Sequence, residues 1–589
     1  MAPGAARNSR GRGPEVLVVT GDGTAGSGML AARLRGLRAT VLRRLIGGDF
    51  WAWTLRQRLL VPTPPARPVL VPEEPLPGLS AQGDELLAGQ YDFAGEVVQG
   101  GTEWPWKLRA SRPWVEALHG FAWLRHLRAG AGEAPRQLAR ALVDSWIEIC
   151  GQHHALGWRP DVAARRVAAW SCHSDFLLAG ADQDFADRFM ASLARQLAHL
   201  RLYGAALPHG APRLAVLVGQ ILGGLALGQA PGRIRRLLAR LERETGRQVL
   251  GDGGHASRNP DDHMAVLADL VRVRLALVGA GLEVPVFLTH TVDRMAPMLR
   301  FWRLGDGGLS LFNGSFEGDP ATIEALLARA DARGKPLGHA VHSGYQRVEA
   351  KRVVLVMDAG GPPPPGLMHR AHAGLLAFEL SSGRNRLIVN CGSARANPAW
   401  SRALRATAAH STLVIGDANA FSFRAALGLG LHVEGPPPRV ETLRREAEGA
   451  IWIEARHHGY ARRHGLIHER RIYVEAGGED LRGEDALRPA WHPVTGRNHP
   501  RPVEGQAFTV RFHVHPDVRC LLSGDGASAI LRAPGGDGWR FRASGGVVSV
   551  EESIYFGHQG EIRRAEQVVI SGTVQDGRAD VKWALKRER

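Results

Sequence analysis

Twelve consecutive residues, Asp252-Gly253-Gly254-His255-Ala256-Ser257-Arg258-Asn259-Pro260-Asp261-Asp262-His263, hold two imidazoles, a guanidinium, a carboxamide and three carboxylates. Such a set can move a proton and hold an anion, because imidazole titrates near neutral pH and guanidinium and carboxamide groups donate to carboxylates. The glycines and Asn259-Pro260 force a loop, and loops on a rigid scaffold collect functional groups. Asn259 also suits the cap of a helix that opens at Pro260, and the two roles are compatible.

Four further groups carry chemistry. His339, His342, Ser343 and Tyr345 enter one predicted strand; His369-Arg370-Ala371-His372 leads toward Phe378 and Glu379; Arg405 to Thr412, with His410, opens another. Taken singly, each histidine reads as a surface or hydrogen-bonded residue. Their recurrence at strand entrances favours a shared rim, since strand ends of a sandwich meet at one edge. His513-Val514-His515 has the period-2 spacing that puts both imidazoles on one strand face. No third ligand stands near them in sequence, so a structural role is the simpler reading.

These groups need elements to position them. From about Leu30 to about Arg300 apolar residues recur every three or four positions, as in Trp114, Leu118, Phe121, Leu124 and Leu127, and in Leu138, Ala141, Leu142, Trp146 and Ile149. That period predicts successive helices with short connections, stacked as antiparallel hairpins. The apolar tract Leu214 to Gly228 is too short and too glycine-rich for a bilayer span and reads as a helix buried in protein. From about Gly344 the pattern changes to short runs such as Val353–Met357, Leu387–Val389, Thr412–Ile415, Ile451–Glu454, Phe508–Val514 and Val547–Val550. Separated by turn residues, they predict an antiparallel sandwich, with Pro362 to Pro365 as a loop inside it.

Composition bounds the rest. A chain of 589 residues exceeds one core, and 44% hydrophobic with 22% charged residues is a globular balance. The formal charge is +16, carried by five lysines among 74 basic residues. An arginine bias of that kind can be compositional, so charge alone leaves nucleic acid and anionic glycan open. Cys150, Cys172, Cys391 and Cys520 are too scattered for a disulfide scaffold or a CxxC zinc site. No basic stripe with interleaved aromatics suggests a nucleic-acid module. No recognisable signal peptide or transmembrane segment stands in the sequence, so a soluble chain is expected; nothing in it specifies oligomeric state or compartment.

The loop at 252–263, His342-Ser343-Gly344-Tyr345, His372 to Leu380, Ile388-Val389-Asn390-Cys391-Gly392 and Arg405 to Thr412 follow one another in an order and spacing that resembles the heparinase II/III family of polysaccharide lyases. The resemblance covers nearly the whole chain and is strongest from about Ser343 to Glu484. It implies an N-terminal incomplete (α/α) toroid of helical hairpins followed by a C-terminal antiparallel β-sandwich. The expected division is a disordered basic tail at 1–13, a toroid at 14–305, a connector at 306–338 and a sandwich at 339–589.

The resemblance also implies cleavage of a uronate-containing acidic glycan by β-elimination. A donor must neutralise the uronate carboxylate so that C5–H becomes acidic, a base removes that proton, and an acid protonates the departing O4. His255, Asn259, His263, Tyr345 and His372 are the candidate catalytic residues. His209, Arg213, Arg258, Arg370 and Arg405 are the candidates for holding an anionic polysaccharide. The match departs from the family at several positions. The catalytic Tyr position reads as Asp262 and the Glu position as Ser257. The neutralising Asn should lie near residues 208–210, where none occurs, so His209, Arg213 or Asn259 would replace it. In the sandwich, the family's first His and its Asp read as Arg370 and Gly374. The chemistry needs no cofactor. In some members three residues matching His372, Asn390 and His410 hold a structural zinc, with Asp where this chain has Asn390. These departures leave two functions: a lyase with a modified site, or a catalytically divergent protein that binds glycan or assembles exopolysaccharide or cell envelope on the same fold.

Overall fold

In a computed structural model, residues 16–20, 61 and 63–588 are described, apart from 102–103, 205–206, 208, 427–429, 491–499, 525 and 559–560. The tail expected at 1–13, and the helical pattern expected between about Leu30 and residue 60, lie outside the described residues. The chain forms a helical half built as an incomplete toroid, followed by two antiparallel sheets.

Several helices of the first half carry proline in their first two positions, where its missing N–H costs nothing. Pro160–Cys172, Ala211–Ala226, Pro231–Gln248, Pro260–Gly279 and Pro320–Ala330 all do so. Ala211–Ala226 is the centre of the stack. It packs against Pro160–Cys172, Gln183–Tyr203, Pro231–Gln248 and Pro260–Gly279, and every residue from Val216 to Ala226 is buried. No helix among the described residues is long and apolar enough to cross a membrane. Pro320–Ala330 stands within the stretch expected as a connector, and its Ile323, Leu326 and Leu327 join the same core as Leu267, Leu299 and Trp302.

Two local expectations change. The stripe from Trp114 to Leu127 is not one helix: Arg112–Gly120 ends at Phe121, whose φ of 59° is left-handed, and Leu124–Ala129 follows. The turn drives the Phe121 ring among Trp106, Trp123, Trp146 and Trp170, and that burial offsets the unfavourable backbone. In Ala134–Cys150 the buried stripe is Ala139, Leu142, Val143, Trp146 and Cys150, while Ile149 is exposed. Trp146 sets this rotation, since its indole N–H donates to His119 Nδ1 at 2.9 Å.

The outer sheet runs, in spatial order, Val16–Thr20, Val440–Ala447, Ala450–His457, Leu466–Val474, Asp480–Pro489, Ala579–Glu588, Gly538–Ser544, Ser528–Arg532 and Arg519–Leu522. The inner sheet runs Val547–Tyr555, Arg563–Thr573, Ala507–Val514, Asn385–Val389, Phe378–Ser382, Val353–Asp358, Tyr345–Ala350 and His339–Ala340. One core lies between the two sheets, with Phe378 stacked on Trp583 and Phe512 at its edge. The other face of the inner sheet meets the helices: Tyr345, Val354, Val356 and Ala377 belong to the helical core. Covered on both sides, Val353–Asp358 and Phe378–Ser382 are buried at every position, which is why Val353 to Met357 runs apolar without alternation. The helical half therefore sits on the sheet that carries the strand-entrance histidines.

Candidate functional site

The groups singled out in the sequence separate into a buried seam between the two halves and an open cleft beside it. The seam forms first in the chain at the 252–263 loop. Asp252 accepts from Ser343 N at 2.7 Å and from Ser343 Oγ at 2.9 Å, tying the loop to the sandwich. Arg258, left-handed at φ 56°, reaches across the seam. Its guanidinium donates to the carbonyls of Ser343 at 2.7 Å and Gly361 at 2.5 Å, pairs with Asp358 at 2.5 Å and lies over the Tyr345 ring at 4.8 Å. Tyr345 in turn donates its hydroxyl to the Arg258 carbonyl at 2.7 Å and accepts from Asn313 Nδ2 at 3.0 Å. Asn259 caps the Pro260–Gly279 helix through Asp262 N at 2.8 Å and donates to the Asn313 carbonyl at 2.6 Å.

These placements revise the expected roles. Arg258 has its donors committed to protein and cannot hold a substrate carboxylate. Tyr345 is fully buried, and burial pushes its hydroxyl far above the ordinary tyrosine range. His263 is a core residue: Nε2 donates to the Met295 carbonyl at 2.9 Å, the ring meets Trp302 edge-on, and burial pulls its pKa down to about 3. His255 is also fully buried, held between Gln248 at 3.1 Å and Ser257 at 2.7 Å, with a pKa pulled down to about 4 by burial. Each side chain lacks the exposed atom that proton transfer to a substrate needs. His513 is likewise spent inside the sandwich, on Ser553 Oγ at 2.8 Å and the Ala408 carbonyl at 2.9 Å.

The cleft is built from other residues. Asp262 pairs with Arg370 at 2.8 Å and faces His369 Nε2 at 3.7 Å. Asp261 pairs with Arg395, whose guanidinium lies 4.4 Å over the Phe316 ring. Arg370, His369 and the neighbouring cations hold the Asp262 carboxyl well below the usual carboxylate range despite its burial. Arg405 donates to the His369 carbonyl and has no carboxylate partner among the described residues. On the helical wall, His209 Nδ1 donates to Glu244 at 2.6 Å, and the other Glu244 oxygen accepts from Gly210 N at 3.0 Å and Gln248 Nε2 at 2.8 Å. Arg213 and Arg247 stand 3.7 and 3.6 Å from the same carboxylate. The two walls meet where Gly210 approaches Gly366 and Leu367.

Five arginines (213, 247, 370, 395 and 405) thus face three carboxylates (Asp261, Asp262 and Glu244), a positive surplus suited to an acidic ligand. Of the substrate-holding candidates, His209 and Arg213 stand at the Glu244 wall, and Arg370 and Arg405 at the wall of Asp262 and His369. Glu244, Asp261, His369, Arg395 and Asn313 were not among the candidates. Glu244 sits in the charge-rich run of the Pro231–Gln248 helix, where nothing in the local sequence marks it, and the fold turns it inward.

His372 donates through Nδ1 to His410 Nε2 at 3.2 Å, and His410 Nδ1 donates to the Ala406 carbonyl at 2.8 Å. Gly374 allows this: a Cβ there would lie 2.6 Å from the His410 ring, so the family's Asp has no room. A structural zinc would need a third donor. Asn390 accepts from Ser411 N at 3.1 Å through its carboxamide oxygen, and no group of three His, Cys, Asp or Glu side chains converges among the described residues. Cys391 is turned instead toward His513, at 3.4 Å. Two imidazoles and an engaged carboxamide do not fit a zinc site.

Comparison with known proteins places these observations. The profile "Heparinase II/III-like, C-terminal" matches residues 332–584. "FtsZ-localized protein C" of Caulobacter vibrioides (strain NA1000 / CB15N) is 34% identical over 573 residues, which span 94% of this chain and 97% of that protein. Among solved structures, heparinase III superposes with a TM-score of 0.67 at 14% identity, covering 94% of this chain and 92% of the other. A mutant of heparan sulfate lyase HepC from Pedobacter heparinus gives 0.59 at 15% identity, covering 97% and 92%. At those identities the structures speak for the fold.

Proposed function

Because the chain belongs to the heparinase II/III-like family of polysaccharide lyases, and carries its fold with a rebuilt cleft, we propose that it is a divergent member that binds an acidic glycan and serves cell-envelope assembly rather than polymer breakdown. The observation that carries this reading is Asp262. Where the family places a proton-transferring Tyr, this chain has a carboxylate locked to Arg370 and flanked by His369. An ionised carboxylate held by arginine is a poor base, because protonating it means giving up the ion pair. The cationic surplus remains, so binding outlives the lost chemistry. The likeness to a protein named for its localisation with FtsZ supports a role in the company of FtsZ.

Incubation with a panel of acidic polysaccharides is expected to give no rise in ultraviolet absorbance from a 4,5-unsaturated uronate. Calorimetric binding to at least one member of the panel is expected, and Arg370→Ala with Arg395→Ala should weaken it at least tenfold. A fluorescent fusion is expected to gather where FtsZ does. Unsaturated product from the wild-type chain would sink the non-catalytic reading.

One geometry favours a second reading. The His209–Glu244 pair orients an imidazole as nucleophile-activating and proton-abstracting histidines are oriented, with a buried carboxylate behind it. Nε2 would be the base and the arginines the neutralisers. This reading requires product formation that disappears in His209→Ala and persists in His263→Gln; no product from either protein or the wild type removes it.

A further inference from the structure

The outer sheet of the sandwich carries a feature that neither the cleft nor the seam uses. Its solvent face holds a depression of about 480 Å³ lined by Trp452, Tyr473, Arg482, Arg471, Lys582 and Arg542, among others. Strand register builds it in two rows. Trp452 pairs with Tyr473, Tyr473 with Arg482, Arg482 with Ala584 and Ala584 with Arg542. Beside this row run Glu454, Arg471, Glu484, Lys582 and Ser544, likewise paired across neighbouring strands. Side chains alternate along a strand, so both rows project from the same face while Ile451, Ile453 and Ile472 are buried beneath.

We propose that this face is a second binding surface, separate from the cleft, for an extended glycan bearing carboxylate or sulfate groups. The Trp452 and Tyr473 rings stand 4.9 Å apart, Trp452 is 37% exposed and Tyr473 is half-buried, whereas Trp539, Phe541 and Trp583 of the same sheet are buried. Such rings offer flat apolar platforms with a polar rim, matched to the faces of pyranose rings. The charges are lopsided. Arg471 is shared by Glu454 at 3.7 Å and Glu484 at 3.4 Å, and Arg482 pairs with Asp480 at 2.7 Å. Arg542 has no carboxylate partner among the described residues, and Lys582, which acts on Asp580 only through space and forms no close ion pair there, adds to the cationic lining. From the strand of Trp452 to that of Arg542 is four strand spacings, about 19 Å, long enough for several sugar units.

Two observations favour a glycan over the alternatives. Backbone groups on this face are consumed in the ladders, so an acidic peptide would find no strand edge to extend and no backbone partner. The chain's own residues 21–60 carry seven arginines and two aspartates, which a cationic face repels.

The proposal rests on the reading that the ligand class is an acidic glycan, and its test separates the two. Titrations of the full chain would use polygalacturonate, a heparin fragment and poly-L-glutamate as probes. They would compare wild type, Trp452→Ala with Tyr473→Ala, Arg542→Ala with Lys582→Ala, and the cleft pair Arg370→Ala with Arg395→Ala. Each pair of sheet-face changes is expected to weaken binding of one of the polysaccharides at least tenfold and to leave the thermal transition unmoved. In the cleft variant a second class of sites should persist. If only the cleft variant loses binding, the sheet face is not a site while the functional reading stands. If no polysaccharide binds wild type, both fail. If poly-L-glutamate binds this face as tightly as either polysaccharide, the assignment to a glycan is overturned.

Discussion

Lowering the pH from 7 toward 4 is expected to unfold this chain cooperatively, well before its carboxylates are neutralised. Four buried histidines, His173, His199, His255 and His410, lie in the helical core, the seam and the sandwich, and burial holds each near a pKa of about 4. In the unfolded chain each returns to about 6.5. A depressed pKa means that the folded state refuses a proton the unfolded state accepts, so the stabilisation is complete above 6.5 and drains away as the pH falls. Each such residue costs about 1.4 kcal/mol per pH unit in that window, so four cost about 5 to 6 kcal/mol per unit. His126, His263 and His513, held near 3 by burial, add to the same slope. Glu379, raised to about 7 by burial, works in the opposite direction, as do the raised Asp269 and Asp358. The histidines outnumber them. Against a total stability on the order of 5–15 kcal/mol, the midpoint should fall between about pH 4 and 6. Near-ultraviolet circular dichroism and calorimetry across pH 4–8 would measure it, and a transition temperature unchanged down to pH 4.5 would refute it.

Removing the guanidinium of Arg258 is expected to cost about 3–5 kcal/mol and to loosen the junction between the two halves. In Arg258→Ala, Asp358 is left charged and buried, and the carbonyls of Ser343, Gly360 and Gly361 lose their donor. Tyr345 also loses the cation over its ring. Urea denaturation should show a lower midpoint, and proteolysis should begin at the largely exposed 331–338 stretch that leads into the sandwich. A companion variant separates pairing from packing. Arg258→Met with Asp358→Asn removes both charges while nearly keeping volume, and it should recover part of the loss because no uncompensated charge remains. Equal stability of wild type and Arg258→Ala would show that the seam is held by packing alone.

The two experiments bear on why the site was only partly legible. The helical and strand periods, the change near Gly344 and the strands at Val353–Met357, Ile451–Glu454 and Phe508–Val514 follow from local spacing, and the fold returned each of them. Local spacing also marked the 252–263 loop and the strand-entrance histidines as unusual. It could not tell an imidazole aimed at solvent from one aimed at a carbonyl. His263 meets Met295 and His372 meets His410, partners 32 and 38 residues away. His209 meets Glu244 in the same long-range way, yet its ring remains at the cleft.

By itself the sequence determined the two-part architecture, the order of the family's motifs and the positive sign of the surface, because these depend on residue type and on periods of two or 3.6. Tertiary structure alone decided which charged and titratable groups remain free to act. It spends Arg258, Tyr345 and His255 on the seam and leaves Arg370, Arg395, Arg405 and His209 in the cleft. The physical reason is that most of these partnerships join residues far apart in the chain, 35 for His209–Glu244 and 134 for Arg395–Asp261, and those distances are fixed only when the sheet closes onto the helices.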